Sequence, residues 1–330
     1  MSKENFMCTA FTFVKGNFYF GRNMDIEQGF GEKVVITPRN FLLPMKLQPT
    51  FTVRYAMIGM ANVTDGYPLY AEAVNEKGLC MAGLYFPQNA HYSQTVKNSA
   101  NAVAPYELIP YVLGQCDSVA QAESLLSETE VADVAFTENL PVAPLHWIVS
   151  DRNRSIVAEF TDEGRKIYAN GYGVLTNNPP FPFHTENIRQ YLNLSAENTT
   201  GGFGDRLSAS YFGEGMGAIG LPGDFSSASR FVRTVFLKYM SDCDTDTLSC
   251  VSQVMHILDS VAMVRGSVVT SRRLYDITRY SCCIDATNAD YYYKTYSDNS
   301  ITKVSLTDNR KNQSSLEILP LFTDQKIVVR

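Results

Sequence analysis

Cys8 stands where chemistry could begin. It follows Met7 directly and opens the run Cys8-Thr-Ala-Phe-Thr-Phe-Val14. A chain cut after Met7, or begun there and stripped of its Met, would give Cys8 both a thiol and a free α-amine. That pair suffices for acyl transfer. The thiol attacks, and the amine, with an unperturbed pKa of about 7.7–8, collects its proton. A nearby cation would lower the thiol pKa, and Arg22 comes off the second strand of the same expected hairpin. Two other readings stay open. Cys8 could be a small buried core residue, as it would be in a non-catalytic binding protein. It could also pair with His146 in a Cys–His arrangement, which would work with residues 1–7 still attached.

Other chemistry is poorly represented. No H-E-x-x-H or C-x-x-C occurs, and His91, His146, His184 and His256 lie far apart, so no metal or cofactor is expected. Gly215-Met-Gly217-Ala-Ile-Gly220 fits a dinucleotide fingerprint, but Pro222 and Gly223 follow at once and forbid the required helix. It reads as a glycine-rich loop.

The elements that must hold Cys8 are mostly strands. Cys8–Val14 and Asn17–Phe20 flank Lys15-Gly16, a hairpin signal. Val34–Thr37, Phe51–Val63 and Leu79–Phe86 follow as apolar strands without clean alternation, the pattern of strands covered on both faces. Pro105–Leu113 reads as a helix with Pro105 in its first turn. Ser118-Val-Ala-Gln121 reads as a capping box opening a helix through Leu126. Strands return at Leu145–Ser150 and Ser155–Phe160. Helical spacing marks Phe231–Tyr239 and Leu248–Ala262, and strands close the chain at Tyr275–Ile284, Tyr291–Tyr296 and Ile301–Leu306. Two stacked antiparallel sheets with helices outside would cover so many two-face strands, within one domain.

Composition sets the outer bounds. The 330 residues carry 28 Lys+Arg against 34 Asp+Glu, a net charge of −6, which disfavours nucleic acid and anionic lipid as partners. Hydrophobic residues make up 45%, enough for a large core. Seven cysteines, an odd number, do not make a secreted disulfide framework, and the adjacent Cys282 and Cys283 would point to opposite faces of a strand. With no signal-like or membrane-spanning run, a cytoplasmic protein is expected.

Several strings taken together are recognisable. Met7-Cys-Thr-Ala10 and Phe20-Gly-Arg-Asn-Met-Asp25 resemble the start of the choloylglycine hydrolase family, which holds bile salt hydrolases and penicillin V acylases. The resemblance continues in order through Asn75-Glu-Lys-Gly-Leu79, Leu145-His-Trp147, Gly173-Val-Leu-Thr-Asn-Asn178, Gly220-Leu-Pro-Gly-Asp-Phe225, Ser229-Arg-Phe231 and Tyr291-Tyr-Tyr-Lys-Thr-Tyr296. It implies an N-terminal-nucleophile hydrolase of the α+β class, a four-layer αββα sandwich. Residues 1–7 would be a leader absent from or removed in the mature chain, and 8–330 the single catalytic domain.

The resemblance also implies roles. Cys8 matches the nucleophile, Arg22 an arginine beside the thiol, and Asp25 a carboxylate holding the α-amine. Asn177 matches the side-chain donor to the oxyanion, and Arg230 a second arginine near the site. The backbone N–H of Tyr85 matches the second oxyanion donor. Tyr stands here where bile salt hydrolases usually carry Asn and penicillin V acylases usually carry Tyr. The implied pocket lining is Met24, Phe30, Thr64, Ala71, Phe136 and Leu140, a mostly apolar set for a conjugated bile salt or, as the alternative, penicillin V. Asn193–Gly217 matches a segment that reaches across to neighbouring subunits, which implies a homotetramer.

Overall fold

The computed structural model describes residues 7–96, 99–198 and 210–330. The aromatic-rich start of the chain forms β1 (Met7–Lys15), which turns at Gly16 into β2 (Asn17–Ile26). Gly16 has φ +63°, and a Cβ there would meet the Thr245 carbonyl oxygen at 3.0 Å, so only glycine fits the turn. The two strands pair antiparallel, with Cys8 opposite Met24 and Ala10 opposite Arg22.

The chain then runs through β3 (Lys33–Thr37), β4 (Leu42–Leu43), β5 (Phe51–Thr52), β6 (Met57–Thr64), β7 (Tyr67–Asn75) and β8 (Cys80–Tyr85). Next come β9 (Ala102–Val103), α1 (Leu108–Leu113), α2 (Val119–Glu128) and β10 (Glu130–Val131). β11 (Leu145–Ser150), β12 (Ser155–Thr161), β13 (Gly164–Ala169), β14 (Val174–Leu175) and α3 (Phe181–Asn187) follow. After α4 (Ser227–Met240) and α5 (Thr247–Asp259) come β15 (Ile277–Asp285), β16 (Asp290–Thr295), β17 (Thr302–Ser305), α6 (Asp308–Lys311) and β18 (Glu317–Leu319).

Two antiparallel sheets dominate. One has six strands in the order β14-β1-β2-β15-β16-β17, and the other eight in the order β13-β12-β11-β8-β7-β6-β3-β18. α4 and α5 pack on the outer face of the first, against β1, β2 and β15. α1 and α2 pack on the outer face of the second, against β7, β8 and β11 to β13. The result is the four-layer αββα sandwich. Ile36, Ile58, Val74, Ala82 and Ile148 point inward to the first sheet, while Val35, Met57, Met81, Trp147 and Val149 point outward to α1 and α2. Adjacent residues thus enter different cores, which is why these strands show so little alternation. Each aliphatic side chain fully buried in either core contributes roughly 1.5–3 kcal/mol.

The sequence reading needs correcting at several places. Phe51–Val63 is not one strand. Arg54 and Tyr55 donate their backbone N–H groups to the Gly114 carbonyl beyond α1, so the chain leaves the ladder before β6 begins. Pro105–Glu107 forms a 3-10 turn, and the α-helix starts only at Leu108, with Pro110 still inside its first turn. The capping box at Ser118 does not form, because Gln121 Oε1 accepts instead from the Asp117 backbone. β7, β13 and α3 were not read from the sequence. β7 carries Pro68 and Glu72, and α3 starts behind Pro179 and Pro180, all of which look like breakers.

Gly215 has φ +81° and leads only into the 3-10 turn Met216–Ala218, so the dinucleotide fingerprint is a loop. All seven cysteines are free, and Cys282 and Cys283 sit side by side on β15. Residues 199–209 of the excursion expected at Asn193–Gly217, and residues 1–6 of the leader expected at 1–7, lie outside the described residues. Among the described residues, no helix is long and apolar enough to cross a membrane.

Candidate active site

The β1–β2 hairpin places Cys8, Arg22 and Met24 on the face that meets the second sheet. Arg22 is fully buried and spans the gap between sheets. Its Nη1 donates to Glu72 Oε2 on β7, and its Nη2 donates to the Gly83 carbonyl on β8 at 2.9 Å. The same Nη2 lies 3.4 Å from Cys8 Sγ and 3.6 Å from Met24 Sδ. Glu72 also accepts from the hydroxyls of Tyr280 at 2.8 Å and Tyr291 at 2.6 Å. Burial works against the Arg22 charge, but Tyr280, Glu72 and Cys8 hold its pKa well above the ordinary arginine value. The guanidinium is a fixed positive field beside the sulfur.

The thiol itself is buried. Burial pushes its pKa up, while Arg22 and a backbone N–H from Tyr85 pull it down and Asp25 pushes it further up. The net direction is upward. Arg22 alone therefore does not make Cys8 a thiolate, and a base is needed to take its proton. His146 does not offer one. Its Nε2 donates to the Thr176 carbonyl at 2.9 Å and its Nδ1 meets Glu159 Oε1 at 3.0 Å.

Asn177 is held from several sides. α4 starts at a Ser226 cap that accepts from the Ser229 backbone N–H. Ser227 Oγ, in the first turn, accepts from Asn177 N at 2.8 Å. His184 Nε2 on α3 donates to the Asn177 carbonyl at 3.0 Å. The Asn177 side-chain oxygen accepts from Cys8 N at 2.8 Å and from Arg230 Nη2 at 2.7 Å. Two obligate donors fix which atom is oxygen. Its Nδ2 donates one hydrogen to the Tyr85 carbonyl at 2.8 Å, and no acceptor for the other is found among the described residues.

Arg230, one turn further along α4, is fully buried. Its Nη1 donates to the Cys8 carbonyl and to Thr9 Oγ1, and its Nε donates to the Phe225 carbonyl at 3.0 Å. Asp25 alternates to the helix side of β2. Its Oδ1 accepts from Thr278 on β15, and its Oδ2 is buried without a partner among the described residues. Burial pushes this carboxyl up to about 6, against the pull of Arg230, Thr278 and Arg22. Asp25 thus does not bond the Cys8 nitrogen while Met7 is attached, because Asn177 Oδ1 takes that hydrogen.

A cleft of about 170 Å³ opens onto the sulfur, lined by Cys8, Arg22, Met24, Ile26, Phe30, Tyr70, Ala71, Gly83, Tyr85, Ala143 and Leu145. Of the expected lining, Met24, Phe30 and Ala71 are brought together here. Thr64, Phe136 and Leu140 do not line it. Thr64 Oγ1 donates to Asn62 at 2.7 Å, Phe136 packs against Tyr67 and Tyr106, and Leu140 is exposed. Sequence reasoning missed Glu72 and Thr278. Glu72 carried one signal, an acidic residue within the apolar run Tyr70–Val74; Thr278 carried none.

Known proteins with this chain's pattern agree with this arrangement. The chain is 41% identical over 318 residues to the "Bile salt hydrolase/transferase" of Lactiplantibacillus plantarum, covering 96% of this chain and 98% of that one. A crystal structure of a mutant conjugated bile acid hydrolase from Clostridium perfringens superposes with TM-score 0.89 at 35% identity, covering 98% of this chain and 99% of that one. A penicillin V acylase from Agrobacterium tumefaciens shares the fold, with TM-score 0.74 at 18% identity and 96% and 92% coverage. The family model for linear amide C-N hydrolases, choloylglycine hydrolase family, matches residues 8–318. By fold, site geometry and full-length similarity, the chain belongs to the choloylglycine hydrolase family of linear amide C–N hydrolases.

Proposed function

We propose that this hydrolase cleaves the amide bond of glycine- or taurine-conjugated bile salts, with Cys8 as nucleophile and as first residue of the working chain. The observation that carries the reading is the surroundings of one sulfur: at the base of an apolar cleft it meets the Arg22 guanidinium at 3.4 Å and the Tyr85 backbone N–H, while Asn177 holds the nitrogen of the same residue. The Cys8 amine takes the thiol proton as sulfur bonds to the substrate carbonyl carbon. Negative charge collects on the carbonyl oxygen, facing Asn177 Nδ2 and the Tyr85 N–H. The amine then passes its proton to the departing glycine or taurine nitrogen as the C–N bond breaks. Water attacks the resulting thioester, and the thiol is restored. With residues 1–7 attached, the Cys8 nitrogen is a peptide N–H and the proton has nowhere to go.

The cleft admits the apolar end of an acyl group next to its carbonyl. At about 170 Å³ it is smaller than the ~300 Å³ usual for a drug-sized ligand. A steroid would therefore extend past its rim. Tyr85 is the residue that favours penicillin V as the alternative substrate. The full-length relatives favour bile salts, and the acylase likeness extends to fold alone. Equal enzyme should release taurine or glycine from conjugated bile salts faster than phenoxyacetate from penicillin V, and the reverse order would overturn the substrate assignment.

The site predicts a second outcome. Asn177→Ala should lower kcat by roughly 10²–10³-fold with little change in KM, because the lost donor acts on charge present only in the transition state. Equal losses from kcat/KM through KM alone would assign Asn177 to ground-state binding instead. We further propose a homotetramer in the cytosol, which light scattering on the purified protein would check.

A further inference from the structure

A second cleft, of about 320 Å³, reaches Met7, the residue before Cys8. Met7, Tyr85, Asn177, Arg230 and Asp276 are among the residues that line it. Asp276 is fully buried, and neither of its carboxyl oxygens makes a well-formed hydrogen bond among the described residues, the Ile277 backbone N–H beside it being the one donor that pulls its pKa down. Native proteins rarely bury a carboxyl this way without a use for it. It precedes β15, two residues before Thr278, the residue that donates to Asp25. Asp276 and Thr278 both lie against Asp25, whose charge acts on the first and whose Oδ1 accepts from the second.

Three carboxyl oxygens are thus orphaned beside the Met7–Cys8 junction: both of Asp276 and Oδ2 of Asp25. Arg230 is the nearby cation, but each of its three nitrogens already donates elsewhere, to Phe225, Cys8, Thr9 and Asn177. What fits the vacancy is a small cation with several N–H donors. We infer that Asp276 is a positioning residue which, with Asp25, holds the α-amino group of Cys8 once Met7 is gone. This rests on the proposed reading of Cys8 as the first residue.

An α-ammonium has three N–H donors. Asn177 Oδ1 already accepts from this nitrogen at 2.8 Å, and the two carboxyls supply the remaining acceptors. The charges facing Asp276 are Asp25 on β2, Glu27 just after it and Arg230 on α4; Glu27 is itself paired with Arg272. Burial first, and then the Asp25 charge, push Asp276 up to about 8. With Met7 attached it holds its proton near neutral pH. An ammonium beside it favours the ionised carboxylate, so exposing the amine releases that proton. The two carboxyls and the amine then titrate as one unit.

The test uses chains shown by intact mass to begin at Cys8, assayed by amino-acid release from a conjugated bile salt across pH. The acid limb of kcat/KM reports the amine, which must be neutral to accept the thiol proton. Removing a carboxylate beside it weakens the ammonium, so Asp276→Asn should move that limb down by about one pH unit and lower the plateau several-fold. Asp276→Glu should restore the limb. A residue that is merely structural would lower activity at every pH and leave the limb in place, and that result overturns the inference. If the neutral variant does not fold, difference infrared spectroscopy on wild-type protein decides. The chain carrying Met7 should show one protonated-carboxyl band more than the chain starting at Cys8, and equal spectra overturn the inference. Should Cys8→Ala keep full activity, the underlying reading fails, whatever Asp276 does.

Discussion

Cys8→Ala should abolish amide cleavage, by roughly 10⁴-fold or more, while the protein stays folded. Loss of a nucleophile in a hydrolase that works through a covalent intermediate removes the pathway rather than slowing one step of it. The fold should tolerate the change. Cys8 leaves only a small void, and Arg22 keeps its bonds to Glu72 and to the Gly83 carbonyl. A melting temperature within a few degrees of the parent, with no detectable glycine or taurine release, is the expected pair of results. Cys8→Ser is the sharper companion. It keeps the α-amine, the strand pairing and the donors around the site, and exchanges only sulfur for a much less acidic oxygen. It should also be severely impaired. A serine variant with near-parental turnover would show that thiol chemistry is not used.

Glu72→Gln carries the second large effect, on stability. Glu72 is buried and receives Arg22, Tyr280 and Tyr291 at once. Glutamine has nearly the same shape, but one of its two acceptor oxygens becomes an NH₂ donor facing other donors. The Arg22 charge then stands unpaired between two sheets. Breaking a buried pair by neutralising one partner costs about 3–5 kcal/mol. That is a large share of the roughly 5–15 kcal/mol that holds a typical protein folded. Urea unfolding should show the midpoint falling accordingly, with the slope unchanged. A change below about 1 kcal/mol would mean that Arg22 finds its compensation elsewhere. Activity should fall as well, because Glu72 is what aims the guanidinium at the sulfur.

The two parts of this site differed in how far they could be read from the residues. Cys8 and Arg22 were legible because one tight turn joins them and the strand composition around Lys15-Gly16 is plain. The layered fold was legible because strands such as Cys80–Tyr85 are apolar on both faces. The roles of Asp25, Asn177, Tyr85 and Arg230 came through family resemblance, since no local pattern links residues so far apart. Glu72 and Thr278 escaped because their partners lie across the sheet or in the opposite sheet, at separations of 50 residues for Arg22–Glu72 and 253 for Asp25–Thr278. Thr64, Phe136 and Leu140 were placed by matching positions along the chain. Thr64 closes β6, and Phe136 and Leu140 lie in the connection before β11; where side chains at strand ends and in connections point depends on local chain paths that matching does not supply.

The β1–β2 ladder pairs residue with residue from Met7 opposite Asp25 to Lys15 opposite Asn17, with no bulge between them. Strand faces alternate with a period of two, so deleting one residue from a single arm would swing the sulfur away from Arg22 and Asn177 and toward α4 and α5. Length changes in this arm of the gene are therefore survivable only as matched gains or losses on both sides of Gly16. Relatives of this enzyme should vary the hairpin by even totals, and lone single-codon deletions there should be inactive even when they fold.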